Sequence, residues 1–593
     1  MNRILKPAPK LRHFRVASIF LLLALSTSSL FAQAPTASLL DRLPADTVFF
    51  AHWHGMNVVT SAEKTNHLVQ LCEDPQFTLV RDALIRNLRS NMAKNGTENP
   101  DAELADVLSI LDNSAVAGFV LNPAAPKVPD RPISDTPTAD TPVPPVGFFL
   151  VYDATGKTAL VKKLRAEVRA SGKEVPTVMT YDFKGTTVEA RTTGTDVSYT
   201  ALTPKYYFLS DQKSVIEDMI VRFGTNARPV TSVTQIPEYQ AVRSFVTPNT
   251  VIDFFSRVPD LAKSLSPEQL AKPSVKFAAN LHLDKIHVFG GSVSFEGAAT
   301  RIRGALLGDA APGTLFEVAG TSDASFTTLP IVSPGPMFSI SRFNLSAAYQ
   351  LFRAAATPSL SPQQAANIEM YEKMAQGFLG MSLPDAFQLF TGEFASESYF
   401  AEDGSGLKTY AIAIQKPQDV LRIFRAVGSA VINGTDTAGD TTYLDLGFPA
   451  TDPVTGEKRS DPYYVAVAPT MLLAAPSKAA VREAVARLNA KPGANSAASV
   501  LANSDYSHMR SLLPEKLSGL SAFDFAHIPW DKVLAHYAKQ AAEDAAKNPG
   551  APNSPATDWL KSAKPEVITH HLNFGISGWW KDSSGVYFDS YVQ

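Results

Sequence analysis

The chain has 593 residues, 45% of them hydrophobic, and a formal net charge of −3. That balance excludes a broad electrostatic surface for nucleic acid, and the length exceeds what one hydrophobic core serves, so at least two domains are expected. Cys72 is the sole cysteine, which excludes an internal disulfide and a thiolate-rich metal cluster.

In chain order, the first feature is an address. Arg3, Lys6, Lys10, Arg12 and Arg15 precede an apolar run over residues 16–25 that breaks into Ser26-Thr27-Ser28-Ser29. The charged-then-apolar order is that of a secretory signal, and about ten strongly apolar residues are too few to span a bilayer. Residues 1–32 therefore read as a cleaved signal peptide with Gln33 as the new first residue. A cut after Ala34 would place Pro35 first, which is poorly tolerated. Without its five basic residues the mature chain carries a net charge of about −8. No cysteine follows the run to take a lipid, and no later stretch is apolar for long enough to cross a membrane. A soluble periplasmic or secreted bacterial protein is expected, with no integral membrane span after cleavage.

Residues 48–54 alternate as a strand that puts His52 and His54 on one face, where both imidazoles can reach one metal ion. Two ligands are not a site, and the matching strand later in the chain offers Ile340 and Arg342 instead. Cys72, inside Leu-Val-Gln-Leu-Cys-Glu-Asp on a predicted helix, reads as a small hydrophobe. Eight prolines fall within residues 122–146. This stretch joins two apolar runs, 115–121 and 147–152, that read as neighbouring strands, so it is a long solvated loop inserted within a domain. Gly156-Lys157-Thr158 lacks the second glycine of a phosphate-binding loop, since Val151 stands five residues before Gly156, and reads as a turn. Ser61-x-x-Lys64, Ser210-x-x-Lys213 and Ser405-x-x-Lys408 lack the companion motifs of an acyl-serine enzyme. His570-His571 reads as adjacent strand residues on opposite faces, and Trp579-Trp580 as one indole on each face of the last hairpin. No Gly-x-Ser-x-Gly elbow, His-Glu-x-x-His helix or Gly-x-Gly-x-x-Gly turn occurs. No catalytic, cofactor-binding or metal residue is assigned, and no cofactor is expected.

The chain also resembles itself. Residues 199–224 align without gaps on 464–489, with Tyr199/Tyr464, Ala201/Ala466, Pro204/Pro469, Lys213/Lys478 and Arg222/Arg487 identical. Ile216, Ile220 and Phe223 answer Val481, Val485 and Leu488, each set marking an amphipathic helix, and Asp211 and Ser477 sit where a side-chain oxygen caps it. Glu238-Tyr239 with Arg243-Ser244 answers Asp505-Tyr506 with Arg510-Ser511, and Phe289-Gly290 answers Phe574-Gly575 in the same order. A spacing of about 260–285 residues is too long for a solenoid. Two tandem homologous α+β domains are expected, each a mainly antiparallel sheet with helices on one face, over residues 33–318 and 322–593.

The opening Leu43-Pro44-Ala45-Asp46-Thr47-Val48, together with the repeated strand-Ser/Asp-x-Lys-helix units, resembles an exported bacterial family of unknown function. The resemblance covers most of the mature chain and implies an envelope location, without functional residues to carry over. Export, duplication and absent catalytic signatures point to a non-enzymatic binding or scaffolding module, with an envelope protein or a small molecule as partner. A hydrolase or other enzyme of unrecognised type using His52 and His54 with acids from elsewhere, or a structural envelope protein, are the alternatives.

Overall fold

The computed structural model describes residues 38–62, 64–77, 85, 105–106, 108–121, 146–170, 177–193, 196–224, 231–263, 272, 277, 280–323, 325–332, 335–428, 431–451, 458–490, 500–547 and 564–593. The signal segment 1–32 and loop residues 122–145 lie outside them. The protein is mixed α+β, with a large antiparallel sheet system.

The first strands are β1 (Thr47–Trp53), β2 (Ala115–Leu121), β3 (Val146–Asp153), β4 (Thr177–Phe183), β5 (Thr186–Thr193), β6 (Asp196–Leu202), β7 (Tyr206–Ser210) and β8 (Thr250–Arg257). They pair antiparallel in the order β8-β1-β2-β3-β7-β6-β5-β4. After the strands β9 (Ile286–Glu296) and β10 (Ala299–Gly308) come β11 (Met337–Arg342), β12 (Phe390–Phe400), β13 (Gly406–Ile414), β14 (Ile432–Ala438), β15 (Thr441–Thr451), β16 (Lys458–Val467), β17 (Met471–Ala475) and β18 (Gly519–Asp524). These pair antiparallel as β18-β11-β12-β13-β17-β16-β15-β14. The final hairpin of β19 (Phe574–Lys581) and β20 (Gly585–Val592) adds to β18.

Two compact units divide the chain: Met1–Ser264 with Gly290–Arg301 and Ala545–His571, and Leu265–Phe289 with Ile302–Asp544 and Leu572–Gln593. Each is discontinuous in sequence, unlike the contiguous segments 33–318 and 322–593 expected above. Within the first unit β2 and β3 pair along their length from Ala115↔Tyr152 to Leu121↔Val146, so the proline-rich segment connects two neighbouring strands.

The helices form where apolar residues recur three and four apart. Helix Lys213–Phe223 buries Val215, Ile216, Met219, Ile220 and Phe223, and its Phe223 ring meets Tyr206 and Phe208 of β7 at 5.0 and 5.8 Å. Helix Lys478–Leu488 buries Val481, Ala484 and Val485. Ser477 caps it, its hydroxyl accepting from the Ala480 amide at 3.4 Å. The Asp211 carboxylate, just before that first helix, accepts from the Phe148 amide at 2.8 Å, tying the helix approach to β3.

β1 and β11 are the inner strands of their sets, each paired on both sides. Phe50 of β1 is fully buried and stands opposite Phe255 of β8. Its ring lies 5.8 Å from Tyr239 on the short helix Pro237–Arg243. Phe338 of β11 is likewise buried, stands opposite Ala522 of β18, and lies 6.0 Å from Tyr506 on the short helix Ser504–Arg510.

Candidate functional site

Alternation along β1 buries Val48, Phe50 and His52 in turn, at 0, 0 and 2% exposure. His52 thus points into an apolar layer, where a polar ring requires partners. The strand pairing supplies them. His52 stands opposite Asp253 of β8, itself 1% exposed, and His52 Nδ1 lies 3.0 Å from Asp253 Oδ1. His54 follows at the end of the strand, where its amide donates to the Val251 carbonyl. Its Nε2 lies 2.7 Å from the same Asp253 oxygen, and the two imidazole rings are 4.0 Å apart. The His54 side chain is 22% exposed, so the cluster meets solvent on that side.

A fourth residue closes the arrangement. Ser114 leads into β2, fixed by its neighbour Asn113, whose side-chain amide donates to the carbonyls of Asp153 and Thr155 at 2.8 and 2.9 Å. The Ser114 hydroxyl donates to the Trp53 carbonyl at 3.0 Å. It also lies 3.0 Å from His52 Nε2. A hydroxyl has one proton. With that proton on the Trp53 carbonyl, Ser114 accepts from His52 Nε2; with it on His52 Nε2, the imidazole hydrogen sits on Nδ1 and is donated to Asp253 Oδ1.

Burial and charge act on both partners. Burial first, and then the charge of His54, push the His52 imidazole below its ordinary value, although Asp253 pulls the other way. For Asp253, burial acts to raise the carboxyl, but the His52 charge and the hydrogen bonds from both imidazoles outweigh it and hold the group below its usual range. Both shifts thus follow from a buried His–Asp contact with His54 beside it. Asp253 Oδ2 is buried with no hydrogen-bond partner among the described residues.

On β11 and β18 the cross-strand pair two residues beyond Phe338 is Ile340–Leu520, at 0 and 1% exposure. Arg342, the later counterpart of His54, is bonded to buried Glu393 of β12 through Nε at 3.0 Å and Nη2 at 2.9 Å.

The other sequence candidates are not brought to this cluster. Lys157 of Gly156-Lys157-Thr158 bonds Asp112 and Ser109, both at 2.7 Å, in the turn before helix Thr158–Ala170. The tetrad serines donate elsewhere: Ser61 to the Asn57 carbonyl, Ser210 to the Phe148 carbonyl and Ser405 to Asp403. Cys72 is half-buried on helix His67–Glu73. His570 and His571 are not strand residues: they end the helix Pro565–His571, and His571 Nε2 lies 3.2 Å from Asp74. Trp579 stacks on Phe343 at 5.8 Å and Trp580 on Tyr587 at 5.5 Å, both half-buried. The residues that sequence reasoning missed are Asp253 and Ser114. The available signal was an acid at an inward position of an otherwise apolar strand, Thr-Val-Ile-Asp-Phe-Phe.

No family model matches the chain, and no curated protein does. Among solved structures, chains of TP0453 in crystal forms I, III and IV are similar at 8–10% identity with TM-scores of 0.22–0.23. The matches cover 46% of this chain and 80–81% of those chains.

Proposed function

We propose that the chain is an exported bacterial envelope protein whose two halves derive from one duplicated α+β domain, and that it serves as a non-enzymatic binding or scaffolding module. The observation that carries this reading is repetition. The order β8-β1-β2-β3-β7-β6-β5-β4 recurs as β18-β11-β12-β13-β17-β16-β15-β14. Phe50–Tyr239 recurs as Phe338–Tyr506, a short helix packed on an inner strand. Export is supported by the basic-then-apolar opening of the sequence.

At equal register one half carries His52–Asp253 and the other Ile340–Leu520. An architecture that accepts the apolar pair has no need of the ionisable one, which is commonly no more stabilising than a hydrophobic replacement. The difference marks the first half as the one specialised for a ligand. Binding is favoured over turnover because His52 and Asp253 are almost wholly enclosed. The hydrolase reading gains one observation, since Asp253 is the acid it required.

Fractionation of cells carrying the full chain, with N-terminal sequencing of the exported form, tests the location. Periplasmic or extracellular recovery starting near Gln33 is expected, and retention in the cytoplasm overturns it. A panel of ester, phosphoester and glycoside substrates tests the activity. Wild type should show no turnover above a His52→Ile/Asp253→Leu double variant, and turnover lost in that variant would establish the hydrolase reading.

A further inference from the structure

We propose that His52 Nδ1, His54 Nε2 and one carboxylate oxygen of Asp253 bind a single divalent transition-metal ion of the zinc class, with an open position on the His54 side. This inference concerns the cluster alone and stands whether or not the chain is exported or acts as a scaffold. The three ligand atoms lie within 4.8 Å of one another. Ligands held at about 2.0–2.1 Å in a tetrahedron are roughly 3.3 Å apart, so shifts of a few tenths of an ångström at the 2.7 and 3.0 Å contacts, with the two imidazole nitrogens brought to the same separation, admit the ion.

Two independent features point to a cation at this place. The first is the convergence of His52 Nδ1 and His54 Nε2 on a single buried oxygen, Asp253 Oδ1, at 3.0 and 2.7 Å. A cation among those three atoms takes all of them as ligands. The second is Asp253 Oδ2, a buried acceptor without a hydrogen-bond partner among the described residues. Two imidazoles and one carboxylate suit zinc, cobalt or nickel, whereas calcium and magnesium prefer oxygen ligands.

The surrounding residues have the form of an outer shell. A metal-bound imidazole generally donates its second N–H to a fixed acceptor, which sets the tautomer and the ring plane. Here that acceptor is Ser114, anchored through the Trp53 carbonyl and the neighbouring Asn113. The Trp53 indole N–H donates to the Leu111 carbonyl at 2.7 Å, holding the same loop against β1. Replacing an outer-shell partner of this kind weakens metal binding about 10–100-fold.

The test uses the full chain, stripped with chelator and titrated with Co2+ alone. One equivalent should bind with a visible absorption band of a four- or five-coordinate ion. The band should vanish in His54→Gln and in His52→Ile/Asp253→Leu, and Ser114→Ala should weaken binding about 10–100-fold. His287→Gln, at an exposed position elsewhere, should leave it intact. His54 is partly exposed, so the His54→Gln variant decides the matter even if the double variant does not fold. Absence of a stoichiometric band in wild type, or a band that persists in folded His54→Gln, overturns the proposal.

Discussion

Replacing His52–Asp253 by the pair found on β11 and β18 gives a variant, His52→Ile/Asp253→Leu, whose stability can be worked from the structure. Removing only the ring, in His52→Ile, leaves a carboxylate that is 1% exposed with His54 as its remaining imidazole. Breaking a buried pair in this way costs about 3–5 kcal/mol. Removing only the acid, in Asp253→Leu, leaves a neutral buried ring with one unmatched nitrogen, at about 1–3 kcal/mol. The double variant removes both problems. Buried ion pairs exchanged for apolar residues are typically neutral or stabilising by about 1–4 kcal/mol. Leucine is bulkier than aspartate, however, and overpacking costs about 1–3 kcal/mol. The net change should lie within about 2 kcal/mol of zero. His54, 22% exposed, turns to water. Differential scanning calorimetry in chelator measures all four proteins. At about 2–4 °C per kcal/mol for a unit of this size, His52→Ile should melt roughly 6–20 °C below wild type and the double variant near it. A double variant less stable than both single ones would refute the reasoning, because the fold would then require the polar pair.

Other predictions follow from the same framework. A Cβ on Gly118 would lie 2.0 Å from the Phe49 carbonyl oxygen and 2.9 Å from the Phe50 Cα. Gly118→Ala should therefore lower the urea midpoint by an amount equivalent to about 1–3 kcal/mol, and an unchanged midpoint would show that β1 and β2 do not approach so closely. The Phe50 and Phe338 rings are both buried against tyrosines, so either Phe→Ala change should cost about 3–5 kcal/mol in chemical denaturation; a loss under 1 kcal/mol at either would contradict that packing. Burial first, and the charge of His571 second, hold the His67 imidazole below its ordinary value. The unfolded chain then takes up a proton that the folded chain refuses, so this contribution is present above about pH 6.5 and is lost as the pH falls below it. Melting temperatures at pH 7.5 and 5 should drop further in wild type than in His67→Gln, and equal drops would remove the assignment. Deleting most of residues 122–145 should leave the melting temperature nearly unchanged, since loop length affects stability only slowly; loss of folding would mean that the segment packs.

Much of the sheet was legible in the sequence because burial leaves a periodic trace. The apolar positions of residues 199–224 and 464–489 coincide where their identities do not, and both segments fold as strand, strand and helix. The β2–β3 pairing was legible from two apolar runs flanking a proline-rich stretch. Half of the site was legible as well, since alternation alone puts His52 and His54 on one face. Asp253 was not, because it lies 201 residues away from His52 and only the β1–β8 register brings it alongside. Ser114 was hidden because only the fold places its hydroxyl 3.0 Å from His52 Nε2. The His570–His571 reading failed because the segment Pro565–His571 is helical.

The pairing of β1 with β8 has a consequence for how the protein is made. β1 is the first strand to emerge during synthesis, yet one of its two neighbours begins only at Thr250. At about 5–20 residues per second, the intervening chain takes on the order of ten seconds or more to follow. Throughout that interval one side of β1 offers unpaired amides and carbonyls beside Phe50, an edge that invites association with other chains. Long-range closures of this kind also slow folding. A fragment ending before Thr250 should therefore aggregate where one ending after Arg257 can complete the strand pair.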